Sequence, residues 1–241
     1  MFKTSYKRGN HYLNEFNDLK TPKKKFIEII GQIDKTFKKK KLRLLDIGSA
    51  NGEFLNLINN KHPSWYTEGM ETQKKLIRKS MELTPKLNII NCSVLDLKKF
   101  VKKKFDVVTA IGLLQIFDEK EVIKALDNIN SVLNNRGHLF ILSPFNKYGI
   151  DMILKFNDRK VSNNLNWQSG WNIFSIDFYK NYAKKRKLKI SIVPFELDFK
   201  LKETEDKIRT WTIKTKSNPF QLTNGLQLLV DLYIIKLSKN G

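Results

Sequence analysis

From Leu44 to Phe54 the chain reads Leu-Leu-Asp-Ile-Gly-Ser-Ala-Asn-Gly-Glu-Phe, an apolar run closed by an acid, then small residues, then a restarted apolar pattern. Backbone bared at Gly48 and Gly52 lets N–H groups approach a ligand, and φ > 0 is cheap only for glycine. A side chain at either position would stand where that ligand has to lie. An ordinary strand-to-helix turn also fits this string, so its meaning depends on the next strand. Trp65-Tyr66-Thr67-Glu68-Gly69-Met70-Glu71 is that second strand candidate, and its final acid lies about 20 residues beyond the turn. In a doubly wound sheet such an acid accepts hydrogen bonds from the two hydroxyls of a ribose. The plainer reading makes Glu71 a carboxylate placed before a helix beginning near Thr72, where negative charge is favourable.

The elements that must position these residues are given by the hydrophobic periodicity. Phe54, Leu55, Leu57 and Ile58 fit one face of a helix packed on a sheet, so the unit is strand, turn, helix, strand, acid. Residues 89–97 and 105–117 give a third and a fourth strand. Glu119 to Leu133 predicts a helix, Asn135-Arg136-Gly137 a turn, and 138–143 a fifth strand.

This order and spacing resemble the class I S-adenosylmethionine-dependent methyltransferases of small-molecule type, from the glycine turn to about residue 146. The resemblance implies one Rossmann-like α/β domain over residues 1–241. Its seven-stranded, mostly parallel sheet has helices on both faces and an antiparallel last strand. A cap segment would span residues 1–40, and an acceptor lid residues 144–174, after the fifth strand. It implies S-adenosyl-L-methionine as cofactor, held at the methionine end by Asp46, Gly48, Ser49, Ala50 and Gly52, with Ala50 where the family more often has glycine. Glu71 and Thr72 would take the ribose and Ser93 and Val94 the adenine, Ser93 standing where the family has Asp. Ala110, Ile111 and Gln115 would lie beneath the reactive methyl group, Gln115 where small-molecule members often carry His.

A nicotinamide-binding domain shares the sheet and the ribose acid but needs Gly-x-Gly-x-x-Gly. Here Glu53 occupies the third position, where a pyrophosphate would meet another negative charge. S-adenosylmethionine has no phosphate and carries a sulfonium.

The chain's 241 residues suit one α/β domain with insertions. Its start lacks an apolar signal core and no stretch approaches the roughly 18 apolar residues of a spanning helix, so a cytoplasmic location is expected. A single Cys92 excludes an internal disulfide and agrees with a reducing compartment; no metal centre is expected. The net charge of +21 invites a nucleic-acid partner. Yet the cations are 38 Lys against 7 Arg, whereas bidentate phosphate and base recognition favours Arg. The densest runs, Lys38 to Lys41, Lys98 to Lys104 and Lys184 to Lys189, each precede a predicted strand. They should therefore crowd the face opposite the ligand end of the sheet. Where amino-directed DNA enzymes resemble one another in an Asn/Asp-Pro-Pro-aromatic run, this chain has Ile111-Gly112-Leu113-Leu114. A nucleic-acid acceptor is the second reading, and a non-catalytic binding module keeping the fold, suggested by Ser93 and Gln115, the third.

The acceptor site is expected from whatever covers the strand tips. Pro144 to Ile173 is too long for an ordinary connection and offers Asn146, Tyr148, Trp167 and Trp171; the plainer reading makes 150–156 a packed helix and Trp171 core. At the other end Tyr12 and His11 precede a Lys-rich helix near 22–37, and His11 is the candidate base, with Asp118 and Asp151 behind it. Ser175 to Lys185 predicts a helix capped by Ser175, Leu188 to Phe195 a sixth strand, Trp211-Thr212-Ile213 an extra strand, Asn224-Gly225 a turn and Leu226 to Leu237 the last strand. The expected function is methyl transfer by in-line displacement to a small-molecule or glycan-precursor acceptor, with oxygen the expected atom.

Overall fold

The structure, a computed structural model, describes residues 3–4, 11–14, 21–38, 41–159, 167–204 and 206–240. Helix α1 (Lys24–Thr36) turns Phe26, Ile29, Ile30 and Ile33 inward at the 3-and-4 spacing of one helical face. Next come β1 (Arg43–Ile47), α2 (Glu53–Lys61), β2 (Tyr66–Glu71), α3 (Lys74–Leu83), β3 (Ile89–Asn91) and the short α4 (Leu97–Phe100). The second half holds β4 (Phe105–Ile111), α5 (Glu119–Val132), β5 (Leu133–Asn146), α6 (Ile176–Lys185), β6 (Leu188–Phe195) and β7 (Leu232–Lys239).

The main sheet runs β6-β7-β5-β4-β1-β2-β3, with Phe174–Ser175 added beside the end of β5. Strand β7 is antiparallel to both neighbours, and β5, β4, β1, β2 and β3 are mutually parallel. Buried residues alternate between two cores across this sheet. Leu45, Val108 and Ile141 face α4, α5 and α6, while Leu44, Val107 and Phe140 face α1, α2 and α3. Successive strands leave β1 in one direction and β4 in the other, so the crevice beyond their carboxyl ends is the place an open α/β sheet offers a ligand.

Local chemistry explains the element ends. Asp118 caps α5 in a reciprocal box with Glu121, and the Ser175 hydroxyl accepts from Phe178 N at the start of α6. Strand β4 stops at Ile111 rather than running on to Phe117, because Gly112 turns the chain at φ +68° into a 3₁₀ turn, Leu114–Ile116. The expected turn at 135–137 is a bulge inside β5: the register steps from Phe105↔Leu133 to Val107↔His138, with Arg136 at φ +62°.

The last strand begins at Leu232, not Leu226. Leu229–Val230 instead pairs with Gln221–Thr223, which pairs with Trp211–Ile213, making a small antiparallel sheet in the β6–β7 connection. The Asn224-Gly225 turn joins its last two strands, with Asn224 Oδ1 accepting from Leu226 N and Gly225 N donating to Lys207 O. Residues 150–156 form no helix; Met152 bridges Ile173 and Lys155–Phe156 pairs with Gln168–Ser169.

The described members of the three basic runs precede β1, β4 and β6, at the sheet edge away from the crevice. Some are neutralised locally: Lys103 donates to Tyr66 Oη and Glu68, and Arg186 forms a two-pronged pair with Asp127. No helix among the described residues is long and apolar enough to cross a membrane.

Candidate active site

A hollow of about 430 Å³ opens at the reversal point between β1 and β4. Its floor is the turn after β1. Gly48 and Ser49 both donate their N–H to Met70 O, at 2.8 and 3.0 Å, which pins the turn against β2. The chain passes through left-handed geometry at Gly48 (φ +77°), Ala50 (φ +50°) and Gly52 (φ +79°). Ala50 thus holds a conformation that costs an L-residue about 1–2 kcal/mol, strain kept where the backbone faces the hollow.

Glu71 closes the other side. Its buried carboxylate accepts from Ala50 N at 3.1 Å through Oε2, and through Oε1 from Thr72 N at 2.7 Å and Gln73 N at 2.8 Å. It therefore faces the turn and also holds the two N–H groups that precede α3, and its burial sets it apart from a plain surface carboxylate. Asp46, at the end of β1, is 3 % exposed and accepts the Thr109 hydroxyl at 2.6 Å. Burial pushes its carboxyl up to about 7; the Glu71 charge adds to this, while the Thr109 hydrogen bond and Lys25 oppose it.

At the end of β3, Ser93 Oγ accepts from Leu95 N, and Val94 and Cys92 also face the hollow. Burial raises the Cys92 thiol to about 11, so it stays protonated and inert as a nucleophile near neutral pH. Gln115, past β4, has its amide oxygen 3.4 Å from the Ser143 hydroxyl, and its backbone carbonyl receives Asn172 N. Asn172 is buried and ties the segment after β5 to the β4 tip: its amide donates to Phe117 O and its Oδ1 accepts from Leu154 N.

The hollow thus gathers Asp46, Gly48, Ser49, Ala50, Glu71 and Thr72 at one end, Ser93, Val94, Ile111 and Gln115 along its wall, and Tyr12 and Trp171 over it. Five expected residues lie outside the lining. Ala110 is buried in the core. A Cβ on Gly52 would meet Leu87 Cδ1 at 2.4 Å and Ser80 Cβ at 3.1 Å, so this glycine serves packing between the turn and the α3–β3 region. Gly52→Ala is therefore expected to destabilise the fold by about 2–3 kcal/mol, from the positive φ and the crowding together, read as a lowered midpoint in urea unfolding. Asn146 spends its side chain on a turn to Tyr148 N, while Tyr148 and Trp167 face solvent. Among the described residues, Pro144 at the end of β5 and Trp171 in the segment after it line the hollow, rather than a broad aromatic cover.

The His11 side chain lies outside the described residues. Asp118 is occupied as the α5 cap, and Asp151 accepts from Ser175 N. Residues absent from the sequence expectation also line the hollow: Lys23, Lys25 and Phe26 at the start of α1, Glu53 paired with Lys23 at 2.7 Å, and Arg209, Thr210 and Leu222 from the β6–β7 connection. The length of that connection was the available signal, since a stretch so long between neighbouring strands commonly carries a site.

A family model described as a methyltransferase domain matches residues 19–191. The chain belongs to this family. Among solved structures, this methyltransferase resembles an S-adenosylmethionine-dependent methyltransferase from Clostridium acetobutylicum ATCC 824, at TM-score 0.58 and 11% identity over 90% of this chain and 91% of that one. A second, from Archaeoglobus fulgidus, gives TM-score 0.55 and 16% identity over 90% and 95%. The plantazolicin methyltransferase BpumL, solved with SAH, gives 0.55 and 17% over 90% and 82%. At these identities the likeness is one of fold. No curated protein matches the methyltransferase.

Proposed function

We propose that the protein transfers a methyl group from S-adenosylmethionine to a small, partly apolar acceptor, a small molecule or glycan precursor, with oxygen the expected atom. One observation carries the reading: the Glu71 carboxylate stands 3.1 Å from the bared Ala50 N–H, with an open hollow of about 430 Å³ beside them. The donor set suits the cofactor. Glu71 would receive the ribose hydroxyls, the turn at 48–50 and Asp46 the amino-acid end, and Ser93 and Val94 the adenine. The bound cofactor supplies a sulfonium-activated methyl group. The protein's part is then positioning: Gln115 and the β4 tip set the floor on which the acceptor approaches, and Leu113, Ile116 and Trp171 exclude water.

A small acceptor is favoured over nucleic acid because the basic runs sit at the strand ends away from the hollow, where bound phosphate would leave the acceptor remote from the methyl group. Asp118 and Asp151 are committed elsewhere, which favours an acceptor nucleophilic without help or one activated by His11. Calorimetric titration with S-adenosylhomocysteine tests the proposal. Saturable binding at one site per chain is expected; no heat and no thermal shift with folded protein would refute it.

A further inference from the structure

We infer that the acceptor carries a carboxylate and that Arg209 receives it; this rests on the methyl-transfer reading. Arg209, from the β6–β7 connection, lines the hollow, and the same lining holds the apolar Leu222, Leu232 and Trp171. Its guanidinium lies 4.8 Å over the Tyr12 ring, and Nη1 points to Tyr12 Oη at 3.3 Å, which fixes the plane of the fork. The opposite edge, made of Nε and Nη2, is the one that grips a carboxylate with two parallel hydrogen bonds. Its Nε is buried and has no hydrogen-bond partner, an unfavourable state that a ligand oxygen would relieve.

The neighbouring charges do not fill this role. Asp206 Oδ2 is 3.5 Å from Nε, an exposed side chain whose other oxygen accepts from Ile208 N. Glu53 is held by Lys23 at 2.7 Å, Asp46 by Thr109 and Glu71 by the turn and the start of α3. The cations of the described lining are Lys23, which pairs with Glu53, Lys25, which acts on Asp46, and Arg209, and of these Arg209 offers an oriented planar fork in a lining that also holds the apolar Leu113, Ile116, Leu222 and Trp171. That combination selects a molecule with an apolar body and a single planar anion. A phosphate monoester can also take the fork with two oxygens, but it brings nearly two negative charges into a hollow already lined by Asp46, Glu53 and Glu71.

The test uses protein saturated with S-adenosylhomocysteine and ligand-observed NMR. The probes are matched triplets, a carboxylate, its primary amide and a phosphate monoester, built on benzyl and cyclohexyl scaffolds. Carboxylates are expected to bind about ten-fold or more tightly than their amides, the difference between a charge-assisted and a neutral contact. Arg209→Gln should erase this preference, and Arg209→Lys, which keeps charge without the fork, should reduce it, both with S-adenosylhomocysteine affinity within about two-fold of the parent protein. Equal binding of carboxylate and amide, preference for phosphate, no carboxylate binding, or a preference that survives Arg209→Gln would each overturn the inference. Failure of the parent protein to bind S-adenosylhomocysteine would instead remove the cofactor reading on which it rests.

Discussion

Glu71→Ala is expected to weaken S-adenosylhomocysteine binding by about 10–100-fold, or roughly 1.4–2.8 kcal/mol, the worth of the hydrogen bonds one carboxylate makes to a pair of hydroxyls. The side chain also accepts from Ala50 N and from Thr72 N and Gln73 N in the link before α3. Its removal should therefore cost stability as well, about 1–2 kcal/mol, because buried N–H groups lose their acceptor. The two effects separate experimentally. Unfolding reports the lost backbone contacts, and titration well below the melting temperature reports the lost ligand contact. Unchanged affinity in a well-folded Glu71→Ala protein would mean that Glu71 is a structural residue alone.

The second large effect comes from Asp46. Its carboxyl sits at about 7 in the fold, against 3.8 for an ordinary aspartate, chiefly through burial. The groups facing it are Glu71, which pushes the same way, and Thr109 and Lys25, which oppose. A raised acid holds its proton more tightly in the folded than in the unfolded chain. The contribution of Asp46 to the stability of the cofactor-free protein is accordingly full below about pH 4, declines between about 4 and 7, and is lost above 7, a total change on the order of 2–4 kcal/mol from this group.

Binding runs the other way. A cofactor ammonium bound beside Asp46, as proposed, would favour the carboxylate, so binding is expected to release a proton in this range. Affinity for S-adenosylmethionine should rise up to about ten-fold per pH unit from 6 to 7 and flatten above. Asp46→Asn is expected to remove both slopes, to gain stability at pH 8 and to lose affinity there. Calorimetry in buffers of different ionisation enthalpy counts the proton directly; observed heats at pH 6.5 that do not change from buffer to buffer would show that no proton is released and that Asp46 does not take part.

Much of this fold is legible because one physical rule dominates its centre. Strands buried on both faces must be apolar runs, and the chain marks the tips of β1 and β2 with Gly48 and Glu71, while the stop of β4 at Gly112 was hidden in an apolar run that continues to Phe117. The Ser175 cap is local chemistry and reads equally well, whereas Asp118, expected as a candidate base, is spent as the cap of α5. What stayed hidden depends on contacts distant in sequence. Gly52 has the spacing of a ligand-facing glycine, yet its neighbours are Leu87 and Ser80, which periodicity alone cannot bring beside it. Arg209 lies in a polar stretch with short strands, and only the pairing of Trp211–Ile213 with Gln221–Thr223 folds that stretch back over the hollow. Tyr148 and Trp167 show the converse: aromatic residues in a long connection suggest a lid, but both are exposed, Tyr148 on the turn made by Asn146.

Every functional conclusion depends on the space between the turn at 48–52 and Glu71 receiving the adenosyl group. A crystal structure of the protein soaked with S-adenosylhomocysteine would show this directly. The ribose hydroxyls are expected within hydrogen-bonding distance of the Glu71 carboxylate, and the amino-acid end against Gly48 and Asp46. Ligand density at another site, with this hollow filled by rearranged side chains, would refute the assignment.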